Sequence, residues 1–416
     1  MSSSKQQAKG DFQNGSDPSP SIVPSPGPPR MRICKATSKP FPLTDLNPLK
    51  RQLEAMGRRL YTRELVEEAA AQLAKAKPAI IGPQNEGDPA SAEESEAAKV
   101  EDIPAPGLNG VLYKVWPSSQ GYTRKWRENG KWHYAKPRGP WYPRLVWQTW
   151  YDQAKKEGPL FWFEPVPDPK AGVLSPGMME EGRILARELE EKWQHPSNRA
   201  WTAVQDVMRS QFDFQSQNRK AVRIDNIICF ALGTLVDQEK DKNTILVKRL
   251  DQHVFVCCVA RWLQSEYSKH GLNGTASPIP IYVFDPDYSE FDRALLAELN
   301  PPITVVPDPH CFLQATANSF IVSVFCPLRA PNLGIIADLL WQSGGPAAIL
   351  RNTIRELEEN RDGFVDLYDE CIPPVLDMLK GFEESKLQQW KELGTQGDHN
   401  PWWRVDFSLY TRKPNN

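Results

Sequence analysis

The chain has 416 residues, 40% of them hydrophobic, with a formal net charge of -2. Its 38 prolines, 25 glycines and mean hydropathy of -0.53 give much of the length to linkers and tails, so one domain with extensions is expected although there is room for about two. No stretch reaches the ~18 apolar residues of a membrane helix and the N-terminus lacks an apolar signal core, which predicts a soluble protein, cytoplasmic and/or nuclear, without membrane contact.

Residues 1–45 are rich in Ser, Pro and Gly and cannot bury enough apolar surface to offset chain entropy; a disordered tail is expected. Ser19 and Ser25 precede prolines there and are candidate phosphorylation sites. Within 46–78, "LYTRELVEEAAAQLAKAK" repeats Leu60, Leu65, Ala69 and Leu73 at helical spacing, predicting an amphipathic helix that docks on the main domain or on a partner. An acidic Ala/Ser-rich linker is expected over 79–108.

Residues 109–177 form a basic, Trp-rich extension. In "YTRKWRENGKWHYAK", Asn129-Gly130 between residues of high strand propensity signals a tight hairpin. Trp126, Trp132 and Trp141 are candidate partner-binding residues: indoles among cations stack on nucleic-acid bases or hold a proline-rich peptide, and equally pack on a neighbouring domain.

From 178 to 395 the pattern is regular, with a tail expected over 396–416. The helical "EGRILARELEEKWQHPSNRAWTAVQDVMRSQ" is broken at Pro196. "IDNIICFALG" is too apolar for an exposed edge and reads as a central strand covered on both faces. "LDQHVFVCCVARWLQSEY" follows as a helix with Leu250, Val254, Cys257 and Cys258 inward, then the strand "PIPIYVFDPDY". "SEFDRALLAEL" is a helix capped by Ser289 with Asp292 in its first turn. "ITVV" and "SFIVSVFCP" are further strands; "PNLGIIADLLWQSG" and "FVDLYDECIPPVLDMLKGF" are further helices. Strands separated by helices specify βαβ units, hence an α/β fold: a Rossmann-like open, mainly parallel sheet with helices on both faces. Ligands of such sheets lie beyond the carboxyl ends of the strands, where Gly233 and Asp285 both fall.

"IICFALG", Gln252, "VFDPDYSEFD", "SFIVSVFCP" and the upstream "EEKWQHPSNRAW" together resemble the SRR-like domain family, named for sensitivity to red light. The resemblance covers roughly residues 193 to 381. In that family the first motif commonly reads Cys, aromatic, Gly, Leu, Gly; Cys229, Phe230, Leu232 and Gly233 fit it, and Ala231 stands for the first glycine. Asp285 and Pro286 match an aspartate-proline pair, and Asp292 an acidic helix position. The family's later strand usually ends in Pro-His-Cys, whereas Pro327 is followed by Leu328 and Arg329. The resemblance implies regulatory work, with relatives linked to light and circadian signalling, haem biosynthesis and microtubule function. The long front half is of the kind that filamentous fungal members carry.

Candidate ligand-binding residues are therefore Cys229, Leu232, Gly233, Asp285, Pro286 and Asp292, for a nucleotide-like ligand of unknown identity. A lone Gly233 is neither GxGxxG nor GxxxxGK[ST], and Asp285 follows about fifty residues later where a dinucleotide fingerprint wants an acid at about twenty. His253 on an apolar helix reads as an interior histidine, and adjacent His310-Cys311 are poorly placed to serve one reacting atom. The seven cysteines lack zinc spacing and read as reduced thiols, most of them buried. No metal or catalytic residue is assigned. The reading is a regulatory protein with a protein partner; the alternatives are an enzyme or sensor binding S-adenosylmethionine or a nucleotide, and a nucleic-acid binder acting through the Trp-rich segment.

Overall fold

The computed structural model describes residues 47–55, 59–75, 103–106, 112–115, 124–128, 131–135, 141–147, 160–167, 176–212, 214, 223–237, 244–272, 278–324, 331–354, 372–387 and 407–413. Helices α1 (Asn47–Ala55) and α2 (Arg63–Lys75) come first. Antiparallel strand pairs follow: β1 (Ile103–Pro106) with β2 (Leu112–Val115), β3 (Arg124–Glu128) with β4 (Lys131–Ala135), and β5 (Trp141–Trp147) with β6 (Phe161–Pro167). Strand β1 lies inside the segment expected as linker. In the β3–β4 pair Glu128 faces Lys131, the register of a two-residue connection; Asn129 and Gly130 themselves lie outside the described residues. So do Ser19, Ser25 and the 327–329 segment.

Next come α3 (Pro176–Gln194), α4 (Arg199–Phe212), β7 (Asn226–Phe230), the short pair β8 (Val236–Asp237) and β9 (Thr244–Ile245), α5 (Val247–Lys269), β10 (Ile281–Phe284), α6 (Glu290–Ala297), β11 (Ile303–Val305), α7 (His310–Leu313), β12 (Ser319–Ser323), α8 (Asn332–Leu339), β13 (Ala348–Asn352), α9 (Pro373–Leu379), β14 (Phe382–Lys386) and β15 (Phe407–Arg412). Seven of the strands form one sheet in the order β11-β10-β7-β12-β13-β15-β14. All neighbours up to β13 are parallel, and β15 runs antiparallel to both β13 and β14. The expected open, mainly parallel sheet with helices on both faces is thus observed.

Strand β7 holds the centre because its alternation serves two cores at once. Ile227 and Cys229 enter one apolar cluster with α3, α4, α5 and α6, while Ile228 and Phe230 enter the other with α2, α7, α8 and α9. The chain builds outward from β7 to β10 and β11, then returns to place β12 on the other side of β7. That reversal makes the β7–β12 boundary the topological switch point, the place where open sheets hold ligands.

The second face corrects the division into domain and extension. Leu60, Tyr61, Val66 and Phe161 are fully buried in the same cluster as Ile228, Phe230, Ile321 and Ile349 of the sheet. Burying side chains of this size contributes roughly 1.5–3 kcal/mol each, so the front segment is a structural layer of the domain. Thr62 opens α2 by accepting the N–H of Leu65, and Trp147 meets Tyr61, Phe161 and Phe312 edge-on at 6.0, 5.8 and 6.3 Å. The layer is pinned by a buried carboxylate: Asp338 of α8 accepts the N–H of Tyr61 at 3.2 Å, and burial pushes it up to about 7 against the pull of that N–H and of Arg59. Arg59 lies 4.8 Å over the Trp341 ring, and Lys50 pairs with Asp377 at 2.7 Å.

The expected tail over 396–416 is also corrected, because Phe407–Arg412 is the sixth strand across the sheet, with Phe407 to Tyr410 buried. Of the last predicted helix only Pro373–Leu379 is described as helical, and Phe382 already belongs to a strand. Cys229, Cys257, Cys258 and Cys311 are buried free thiols, and no group of metal-ligating side chains occurs among the described residues. No helix among them is long and apolar enough to cross a membrane.

Candidate functional site at the strand ends

Beyond Phe230 the backbone turns through two left-handed residues, Ala231 at φ 58° and Gly233 at φ 80°. Ala231 still donates to Phe284 O of the neighbouring β10 at 3.2 Å, and the Gly233 N–H then donates to Asp285 Oδ2 at 3.0 Å. The bend after Leu232 and the carboxylate before Pro286 therefore emerge side by side on one rim. The left-handed φ explains why glycine suits the first turn position, which Ala231 occupies at a steric cost.

Asp285 is half-buried, and its other oxygen accepts the N–H of Asp287 at 3.1 Å. Burial pushes its carboxyl up to about 6, opposed by the N–H groups of Asp287 and Gly233 and by the charge of Arg249. Pro286 is exposed beside it.

The other three candidates lie beneath the rim. Cys229 faces the core with its thiol pushed up by burial, and Leu232 is buried. Asp292 is fully buried and saturated: it accepts from Leu235 N at 2.5 Å, Thr234 Oγ1 at 3.0 Å, Ser289 N at 2.5 Å and Ser289 Oγ at 2.6 Å. Its own N–H returns to Ser289 Oγ, completing a capping box. Asp292 thus clamps the loop after β7 to the start of α6, and its carboxylate is closed to a ligand.

Arg249, which the sequence reading passed over, completes the rim. Its guanidinium lies over Gly233, where a Cβ would come 1.7 Å from Nη1, and Nη1 donates to Leu232 O at 3.3 Å. With the guanidinium in this place, only a residue without a side chain leaves that space. One turn further along α5, Gln252 is buried and its Oε1 meets no hydrogen-bond partner among the described residues; Ser323 Oγ at the end of β12 is in the same state.

His253 is an interior histidine. Its Nδ1 donates to the Arg249 carbonyl at 2.7 Å, which leaves Nε2 to accept from the Tyr288 hydroxyl at 2.6 Å, and burial lowers it to about 4. His310 is exposed whereas Cys311 is buried with its thiol raised, so the two do not share a reacting point. Trp126 pairs in register with His133, Trp132 with Arg127 and Trp141 with Pro167. Their side chains lie outside the described residues.

Among solved structures, the chain is similar to phospholethanolamine N-methyltransferase 2 of Haemonchus contortus, in complex with phosphomonomethylethanolamine and S-adenosylhomocysteine. The identity is 11% over 70% of this chain and 71% of that one, with a TM-score of 0.27, a likeness that assigns neither fold nor ligand here. No curated protein matches the chain. The family model described as the SRR1 domain matches residues 194–408, from the end of α3 into β15 and just over half of the sequence. The chain belongs to the SRR1 domain family.

Proposed function

We propose that this SRR1 domain protein works in regulation, by binding a protein partner, and performs no chemistry of its own. One observation carries the reading: the histidine, the Asp292 carboxylate and the thiols near the strand ends are each taken up by neighbouring groups or by burial. His253 is held between Arg249 O and Tyr288, Asp292 by its four donors, and Cys229 and Cys311 are buried with raised thiols. A general base needs reach to a substrate proton and a nucleophile needs an activating neighbour; these groups have neither. Trp126, Trp132 and Trp141 are the partner-binding residues in this reading. Affinity capture with the full chain tests it: binding of the captured partner should survive Asp285→Ala and fall in the combined variant Trp126→Ala, Trp132→Ala, Trp141→Ala. Capture that tracks Asp285 and ignores the tryptophans would refute it.

A second reading is favoured by a separate observation. Gly233 and Asp285 meet at 3.0 Å beside the switch point, with Arg249 laid across the glycine. This is the placement of a crevice for a nucleotide or S-adenosylmethionine, whose occupancy the domain would report to its partner. A panel of such ligands should raise the melting temperature of the wild type and leave Asp285→Ala unmoved.

A further inference from the structure

We propose that Arg249 and Gln252 are the recognition residues of the crevice between β7 and β12, and that its ligand carries an anionic group, phosphate or carboxylate, held by Arg249 next to a polar group read by the Gln252 amide. The proposal rests on the crevice reading given above and names what that crevice selects.

Gln252 provides the first observation. It is 5% exposed, yet its amide oxygen has no hydrogen-bond partner among the described residues, and an unmet buried acceptor is costly. Its direction follows from the helix. Gln252, Phe255 and Val259 stand at i, i+3 and i+7 and share one face of α5. Phe255 and Val259 line an apolar cleft with Phe320 of β12 and Leu350 of β13, so this face looks toward β12. His253, by contrast, turns to the β10 side, where it meets Tyr288. Helix α5 starts at the strand ends, with Leu246 N donating to Leu235 O, and runs back along the sheet. Gln252 therefore sits two turns nearer the rim than Val259, about 11 Å, a rise that three strand residues match at roughly 10 Å. That places the unpaired amide level with the carboxyl end of β12, at the switch point.

Arg249 is the second observation, one turn nearer the rim and placed round the helix between the faces of Gln252 and His253, over Gly233. Among the described residues it is exposed, forms no ion pair and makes one hydrogen bond, to Leu232 O, while its charge acts on the nearby Asp285 carboxyl. The first turn of α5 also contains Lys248 and no acidic residue, and Leu246 offers no side-chain cap. Cations at a helix N-terminus oppose the helix dipole, an arrangement that an incoming anion relieves. The charge needed by a phosphate or carboxylate and the unmet amide oxygen thus stand on the two sides of the carboxyl end of β7, Arg249 over Gly233 and Gln252 toward β12.

Isothermal titration of the full chain with ADP, S-adenosylhomocysteine and adenosine tests the assignment. ADP or S-adenosylhomocysteine should bind at least about tenfold tighter than neutral adenosine, ADP alone marking a phosphate site and S-adenosylhomocysteine alone a carboxylate site. Arg249→Gln should reduce the anionic probe to the level of adenosine. Gln252→Leu should weaken the probe by about tenfold or more while raising the melting temperature of the unliganded chain, because it removes an unpaired amide oxygen. A lower melting temperature for Gln252→Leu would give the amide a structural role and overturn the proposal. Binding lost in Asp285→Ala but unchanged in Arg249→Gln and Gln252→Leu would overturn it while sparing the crevice; no binding of any probe would remove both.

Discussion

Replacing Ala231 by glycine should stabilise the protein, which is the reverse of the usual effect. At φ 58° the alanine Cβ crowds the backbone, a strain of about 1–2 kcal/mol that glycine does not carry. Glycine has more freedom in the unfolded chain, which offsets about 0.4–1 kcal/mol of that relief. The expected gain is about 0.5 kcal/mol with an upper bound near 1.5, or about 1–4 °C in melting temperature for a domain of this size. An alanine in ordinary extended or helical backbone would instead lose about 0.5–1 kcal/mol on the same change, so the sign decides. Gly233→Ala supplies the opposite arm: it adds left-handed strain at φ 80° and drives a Cβ into the Arg249 guanidinium. Since Arg249 is exposed and can swing away, the cost is strain plus one hydrogen bond, about 1–2.5 kcal/mol after the unfolded-state offset. Thermal and urea denaturation of the full chain measure both. A destabilised Ala231→Gly, or a neutral Gly233→Ala, would refute the geometry assigned to this turn.

Other perturbations probe the layers around it. The Asp338 carboxyl is raised from 3.8 to about 7 by burial, so the folded state favours its protonated form; this contribution is full below pH 3.8 and is lost as pH rises through about 7. His253, lowered from 6.5 to about 4, acts in the opposite sense, losing stability as pH falls through that window. The difference between wild type and Asp338→Asn isolates the first group: the variant's urea midpoint should gain on wild type as pH goes from 5 to 8, and parallel curves would contradict this. Trp193→Phe should cost about 1–3 kcal/mol, because it removes the 2.7 Å indole donor to the buried Asp251 carboxylate; a change below 0.5 kcal/mol, the scatter typical of surface substitutions, would count against that bond. A chain beginning at residue 176, stripped of the layer that contains Leu60, Tyr61, Val66 and Phe161, should bind a hydrophobic dye and lose cooperative melting. A soluble, cooperatively melting fragment would show that the layer is dispensable.

The central strands were legible because they are buried on both faces. "IICF", "IYVF" and "SFIVS" are apolar throughout, and a run of that kind between helical stretches has few other readings. Strand β14 was not legible: as an edge it carries Glu383, Glu384 and Lys386 outward, a charged pattern that protects an edge and looks like a loop. Strand β15 sits in a polar terminal context, and its pairing with β13 joins segments more than fifty residues apart, which periodicity cannot report. The front layer failed for the same reason, since the spacing of Leu65 and Ala69 shows an apolar face without naming what covers it. At the site, Gly233 and Asp285 were readable from where strands end. Asp292 was readable as a helix cap, but its hold on Leu235 N depends on a contact 57 residues away. Arg249 gave no signal as one of two cations in the first turn of α5; only the space above Gly233 discloses it.

The pH titration of the Gly233 amide resonance in the full chain tests the rim most directly. Its N–H donates to Asp285 Oδ2, whose carboxyl titrates at about 6, so the resonance should move with a midpoint near pH 6 and stay flat in Asp285→Asn. A Gly233 amide that does not respond between pH 4 and 8 in the wild type would contradict the meeting of these two strand ends.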